Sequence, residues 1–422
     1  MTAPGFTNRS DPAVSNEPPG LLHAFASLPG VSEILRAVTT YNIGPVTELL
    51  ERAAYFPVLI AAASRPVAGV FEVAHEARRF EIATVEAVAG GRLLGVNRAG
   101  GPAASVRFRW RIVPEGYVGT PGLPADLPPL PLRPDVSQRV EVFDWVLRFP
   151  DGASGYRAYG TGRTLPGVGT AGPGVGLAFV LDVLEGFGQL AGLAGTVVAS
   201  GSAGPDGALS LMAMSRIMDP AEGLITTTPV FPPLAAAPGE PGVTYLAFLG
   251  QVDPEHPVTL RVSLTEGFLG SWVYEMLRAA GLDFAVTGGQ IRSRATRRGL
   301  VGTVSARLSF DPLTLCPVTP IQTRQGVFTF HDQAGNGLGT LPSDMTEGRS
   351  FRTSLSGRLL PVFRFGGFGP ILGGTGEFAG ARGIMTMNSV ISVQPRTLSN
   401  LYVLRLDDPD GRYRALAGGG AA

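Results

Sequence analysis

Apolar and polar residues alternate over short runs along most of this chain, and the runs end at Gly, Pro or Asn. A period of two marks half-buried strands. Ser105–Val113 (SVRFRWRIV) is the cleanest run: Val106, Phe108, Trp110 and Ile112 share one face, and Arg107, Arg109 and Arg111 the other. Val140–Phe149 follows, with Phe143, Trp145, Leu147 and Phe149 placed on one face together with Glu141. Phe80–Val88, Tyr156–Leu165, Leu209–Met218, Val243–Gly250, Val258–Leu264, Val301–Phe310, Gly326–His331, Phe351–Leu360, Ile384–Val393 and Leu401–Leu406 read the same way. Helix-type spacing is confined to Val31–Val38, Val46–Ala63 and Ser271–Ala280, and Val58–Ser64 reads equally well as a buried strand. Thr287-Gly288-Gly289 reads as a turn. The pattern predicts a mainly β fold: two tandem antiparallel eight-stranded-type β-barrels with a few short peripheral helices.

The duplication rests on ordered matches. Ile371–Met385 (ILGGTGEFAGARGIM) has a diluted copy in Val183–Val197 (VLEGFGQLAGLAGTV). Adding 188 turns Gly186, Gly188, Gly192 and Gly195 into Gly374, Gly376, Gly380 and Gly383. Gly162-Arg163 matches Gly357-Arg358 on adding 195, and Val142-Phe143 matches Val327-Phe328 on adding 185. Offsets of this size mean duplicated domains, not a solenoid. The chain divides into a polar, Pro/Gly-rich tail (1–20), a first barrel domain with N-terminal helices (21–219), a Pro-rich linker (220–242) and a second barrel domain (243–415). In each corner the glycines permit a sharp bend. Phe378 is placed to plug the barrel end and Arg382 to hydrogen-bond turn carbonyls. GGTGEFAG invites a phosphate-loop reading, but its G-x-G-x-x-x-G spacing and the β-type run after it do not fit a dinucleotide fingerprint.

Composition narrows the chemistry. The 58 Gly and 36 Pro fit many turns. All 34 basic residues are arginine, so no lysine Schiff base can form. They balance 34 acidic residues, which leaves no general attraction for nucleic acid. Cys316 is the single cysteine, so there is no intrachain disulfide, and the four dispersed histidines make no metal motif. No run reaches the roughly 18 apolar residues of a membrane span, and residues 1–20 lack the apolar core of a signal peptide. The expectation is a cytoplasmic protein with no cofactor and no metal.

GGTGEFAGARG (Gly373–Gly383), followed by a strand, resembles the signature of plant dirigent proteins and allene oxide cyclases. The likeness covers Phe328 to Leu406 and is faint in the first repeat, where Ala194 replaces the motif's arginine. It implies a calycin-type eight-stranded barrel, related to bacterial spirotetronate cyclases, whose apolar cavity folds a reactive or polyunsaturated molecule. Rate and stereochemistry would come from orientation, with a few polar groups steadying developing charge.

The candidate catalytic groups are Tyr159, Arg352, Asn388 and His331, the last beside Asp332. Trp145, Met212, Met214, Met385 and Met387 are candidate ligand-binding walls, methionine suiting an irregular apolar ligand. Three functions stay open. One is a cofactor-independent cyclase or isomerase acting on an apolar, polyene-like substrate; another is a non-catalytic, dirigent-like binding protein. The third is a structural tandem barrel with filled interiors.

Overall fold

The computed structural model describes residues 40–43, 53–63, 66–67, 70–79, 102–119, 121, 127–149, 151–168, 174–204, 207–218, 242–252, 258–263, 285–297, 300–308, 310–311, 316–317, 322–332, 334–353, 362–392 and 397–416. The fold is mainly β, and six strands curl as a half-barrel. Among the described residues the longest helix is α1 (Arg412–Leu416), and no helix is long and apolar enough to cross a membrane.

The strands fall in two large antiparallel sheets. After β1 (Thr40–Ile43), the first sheet contains β2 (Ala53–Ala63), β3 (Pro66–Val67), β4 (Val70–Arg79), β5 (Pro102–Val113), β6 (Arg139–Arg148), β7 (Gly155–Leu165), β8 (Val175–Phe187), β9 (Gly195–Ala203) and β10 (Ala208–Met218). Its order is β2-β10-β9-β8-β7-β6-β5-β4-β3, and β2 also meets β4 through Val58↔Arg79 and Leu59↔Arg78. The chain then continues with β11 (Val243–Val252), β12 (Val258–Ser263), β13 (Ala285–Arg297), β14 (Leu300–Leu308), the two-residue pair β15 (Phe310–Asp311) and β16 (Cys316–Pro317), β17 (Thr323–His331) and β18 (Gly337–Pro342). It ends with β19 (Glu347–Thr353), β20 (Val362–Leu372), β21 (Arg382–Ser392) and β22 (Thr397–Asp407). The second sheet runs β18-β17-β14-β13-β11-β22-β21-β20-β19. β12 lies off this path and joins β13 to β1, so residues 40–43 pair with the second half of the chain.

Several expectations change. Val46–Ala63 is not helical where described: Ala53–Ala63 is a strand, and Pro57 pairs with Met214. Its β-branched Val58 and Ile60 are buried in the sheet, which outweighs the helix-like spacing. Thr287-Gly288-Gly289 is no turn; β13 runs through it. Glu141 does not share a face with Trp145. Asp144 adopts φ 54° and the pairing of β6 shifts between Val142 and Trp145. This bulge puts Trp145 and Leu147 inside with Val140 and Val142, and leaves Phe143 outside beneath the guanidinium groups of Arg109 and Arg111. Val31–Val38, Phe80–Val88, Ser271–Ala280, the tail and most of the linker lie outside the described residues.

The two glycine corners have one geometry. Each is a single 3-10 turn, Gly188–Leu190 and Gly376–Phe378. Gly188 and Gly376 have φ of 60° and 59°, and Gly192 and Gly380 have 76° and 74°. These are left-handed values that glycine adopts without strain. Leu190 and Phe378 are the buried residue of each turn. Beyond the corner the ladders stay in step. Val180 faces Val198 as Phe368 faces Thr386, and Gly201 faces Leu211 as Ser389 faces Asn400. Upstream, Gly162-Arg163 faces Phe179-Ala178 as Gly348-Arg349 faces Gly367-Gly366. The register therefore equates Arg163 with Arg349, and Gly357-Arg358 lies outside the described residues.

The halves pack with β8 and β9 against β20 and β21. A Cβ on Gly366 would stand 2.6 Å from Val180 Cγ1 and 2.8 Å from Val198 Cγ1, so this glycine is what permits the close approach.

Candidate functional site

Two polar arrangements are candidates. The first surrounds Tyr159. Alternation along β7 sends Tyr156 and Ala158 into the aromatic interior and turns Tyr159, Thr161 and Arg163 to the opposite face. There the Tyr159 hydroxyl donates to Glu141 Oε1 at 2.8 Å, and Tyr117 donates to the same oxygen at 3.3 Å. Arg111 takes Oε2 from its Nε at 2.8 Å and its Nη2 at 2.7 Å. Glu141 and Tyr159 are buried, and Gly119 presses so closely on the Tyr159 hydroxyl that a side chain at 119 would collide with it. Burial, and then the Glu141 carboxylate, push the Tyr159 pKa far up. The phenol stays protonated and the carboxylate is fully engaged. Such a network fixes neighbouring strands and offers no free base. Beside it, Arg163 bridges Glu115, at 2.7 Å from both Nη atoms, and Glu347 of β19, at 2.7 Å from Nε, tying the halves together.

Between the halves, Arg364 donates to Asp182 Oδ1 at 3.0 Å, to Thr196 Oγ1 at 3.0 Å and to the Gly195 carbonyl. Burial dominates for both partners: it raises the Asp182 pKa and lowers that of Arg364, against their mutual attraction. Asn388 Nδ2 donates to the Thr196 carbonyl at 2.8 Å, and the Asn388 backbone carbonyl accepts from Arg216 at 3.3 Å. Arg382 does bind a turn carbonyl, but that of Gly167 in the other half.

The second candidate is the interior of the second half. Because Asn388 faces the first half, alternation turns Met385, Met387 and Ser389 inward. Met387 pairs with Tyr402 and Ser389 with Asn400 on β22; Tyr402 meets the Phe328 ring edge-on at 5.1 Å. Ser389 Oγ and Asn400 Oδ1 are 2.6 Å apart and both residues are fully buried. Asn400 Nδ2 is buried with no hydrogen-bond partner among the described residues. Were the amide turned over, its oxygen would be open instead, so one end lacks a partner either way.

The sequence candidates do not converge. Tyr159 is in the saturated network on the outer face of β7. Asn388 lies between the halves. His331 is half-buried at the end of β17; the neighbouring Asp332 carboxylate accepts from the Asn336 backbone N–H at 2.7 Å and its Nδ2 at 2.8 Å. Those bonds hold Asp332 below the usual carboxylate range. Arg352 is on β19 and its side chain lies outside the described residues. Trp145 belongs to the packed aromatic core. Met212 and Met214 are buried on the opposite face of β10 from the core residues Leu211 and Ala213. Met385 and Met387 alone line the second interior. Ser389 and Asn400 escaped the sequence reading, although both are polar residues at inward positions of apolar strands. Also missed was the buried pair Arg216 and Arg405, which occupy matching places on β10 and β22.

No family model matches the chain, and no curated protein matches it. Comparison with solved structures finds a protein of unknown function from the DUF3598 family of Nostoc punctiforme, 10% identical, over 85% of this chain and 96% of that one. Its TM-score is 0.13, which supports no argument about fold or function.

Proposed function

We propose that the second half is a binding chamber for an apolar, polyene-like small molecule. In it Met385, Met387 and Tyr402 form adaptable walls, and the open amide of Asn400 donates to a carbonyl or ether oxygen of the ligand. The observation that carries the reading is that amide: a buried donor without a partner costs about 1–3 kcal/mol, and a ligand oxygen would relieve it. On this reading the chain holds two tandem eight-stranded barrels of the allene oxide cyclase and dirigent type. The first is a filled scaffold and the second the working unit. The protein would guide cyclisation or isomerisation by holding the molecule folded, without a cofactor.

The scattering of Tyr159, Asn388 and His331 favours orientation over proton transfer, and so keeps a non-catalytic, dirigent-like role as the second reading. The test is fluorescence titration of the purified protein with a conjugated polyene ketone, followed by product analysis. Saturable binding that weakens about tenfold or more in Asn400→Leu, the worth of one hydrogen bond in a dry site, is expected. Absence of binding would overturn the chamber, and equal binding by the variant would overturn the role of Asn400. A faster cyclisation supports the cyclase, and an unchanged rate with altered handedness supports the dirigent-like role.

A further inference from the structure

The face of the first half that carries Tyr159 holds more positive charge than its carboxylates balance. Four arginines, Arg111, Arg139, Arg163 and Arg349, share this region with Glu115, Glu141 and Glu347. Glu141 is taken by Arg111. Glu115 and Glu347 are both taken by Arg163, although the Arg139 charge also reaches Glu115. Among the described residues no carboxylate is hydrogen-bonded to Arg139 or Arg349, although the Glu347 charge also reaches Arg349. Arg139 lies directly across from Arg163 on the neighbouring strand. Arg349 stands two residues beyond Glu347 on β19, hence on the face that Glu347 turns toward Arg163. Arg139 Nε is buried with no hydrogen-bond partner among the described residues. Thr161, between Tyr159 and Arg163 on β7 and opposite Glu141, is buried, and its Oγ1 also lacks a partner. Burial, and then the nearby Arg139 charge, push the Arg349 pKa down. Two half-buried cations that repel each other, beside an unsatisfied hydroxyl, are what an oxyanion would reconcile.

We propose that a compact oxyanion, a carboxylate or a phosphate group, binds beside the Arg163–Glu347 bridge, where β6 and β7 meet β19. It is held by the guanidinium groups of Arg139 and Arg349 and by the Thr161 hydroxyl. Planar guanidinium forks match such groups in a bidentate way. The anion would join β6 and β7 of the first half to β19 of the second, beside the existing Arg163–Glu347 bridge. Its site is distinct from the second interior and does not depend on what that interior binds.

Thermal unfolding of the full chain, at constant ionic strength in chloride, with inorganic phosphate or acetate replacing part of it, tests this. Phosphate or acetate should raise the melting temperature saturably in the wild type, and the better of the two assigns the group. Arg349→Gln should raise the melting temperature without oxyanion, because repulsion with Arg139 is relieved, and weaken oxyanion binding about tenfold or more. Thr161→Val, which keeps the shape, should fold as the wild type does and weaken binding a few-fold. Arg157→Gln, which removes an exposed ion pair with Glu185, should respond to oxyanion as the wild type does. The proposal fails if neither anion stabilises the wild type beyond chloride. It also fails if Thr161→Val and Arg349→Gln respond as strongly as Arg157→Gln.

Discussion

The two halves carry the same ladder through their last three strands and fill it differently. In the first, Phe179 and Ala199 face each other and Ala213 follows across β10. Phe179 reaches Phe108 and Trp145, with ring centroids 6.5 and 6.0 Å away, and Phe108 lies 4.8 Å from Trp145. At the matching places the second half has Gly367, Met387 and Tyr402. Met345 reaches over Gly367, where a Cβ would collide with its sulfur. Where the first half has Gly201 and Leu211, the second has Ser389 and Asn400. At these positions a phenylalanine ring gives way to glycine, two alanines to a thioether and a tyrosine ring that meets Phe328, and a leucine to an amide with one end open. One ladder therefore carries two different fillings, set by a handful of inward positions.

The largest effect should come from emptying the packed side. Trp145→Ala removes a fully buried indole from the ring cluster and is expected to cost about 3–5 kcal/mol, read by denaturant unfolding of the full chain. Met387→Ala should cost less, because neighbouring methionine and glycine positions can close the gap. Equal losses at the two sites would erase the contrast between the interiors.

An exchange of polar groups sharpens it. In the double variant Ser389→Ala/Asn400→Leu both partners of a buried hydrogen bond become apolar, as in the first half. That change is expected to leave unliganded stability within about 1 kcal/mol of wild type or to raise it, while ligand affinity falls. The reverse graft, Leu211→Asn, places an amide without a partner in the packed core and should cost about 1–3 kcal/mol for the stranded amide alone. A double variant that unfolds would mean that Ser389 and Asn400 are structural. At the junction, Gly366→Val forces a side chain against Val180 and Val198 and should cost about 1–3 kcal/mol.

Strand alternation made most of the framework legible, from Ser105–Val113 through Leu401–Leu406, because a period of two survives wherever one face is buried. The glycine corners were legible for a different reason: φ values near 60° and 75° restrict the residue type, so the geometry leaves a mark in the sequence. Inward and outward assignments failed where local events break the count. The bulge at Asp144 reverses the second part of β6, and nothing in VEVFDWVLRF marks it except an aspartate among apolar residues. Tyr159 and Asn388 are candidates for cavity walls by sequence, yet Tyr117 and Gly119 cover the first and the other half covers the second. A single strand cannot show that both of its faces will be buried. Arg216 and Arg405 could have been found from the repeat itself, since the shift that relates Leu211 to Asn400 also relates them.

The smallest effect concerns the junction, where the halves also differ: Asp182 on β8 has Pro370 as its counterpart on β20. Burial raises the Asp182 pKa despite Arg364 at 3.0 Å. A raised carboxyl pKa means that the folded state favours the proton. Its contribution is therefore fully present below the ordinary carboxylate value and is lost as pH rises through the folded value. Melting temperatures of wild type and Asp182→Asn, compared from about pH 3.5 to 7 around the ordinary value of about 3.9, should show the wild type losing ground to the variant as pH increases. If the wild type gains instead, the attraction of Arg364 outweighs burial. The junction would then be held by its ion pair rather than by the close packing that Gly366 allows.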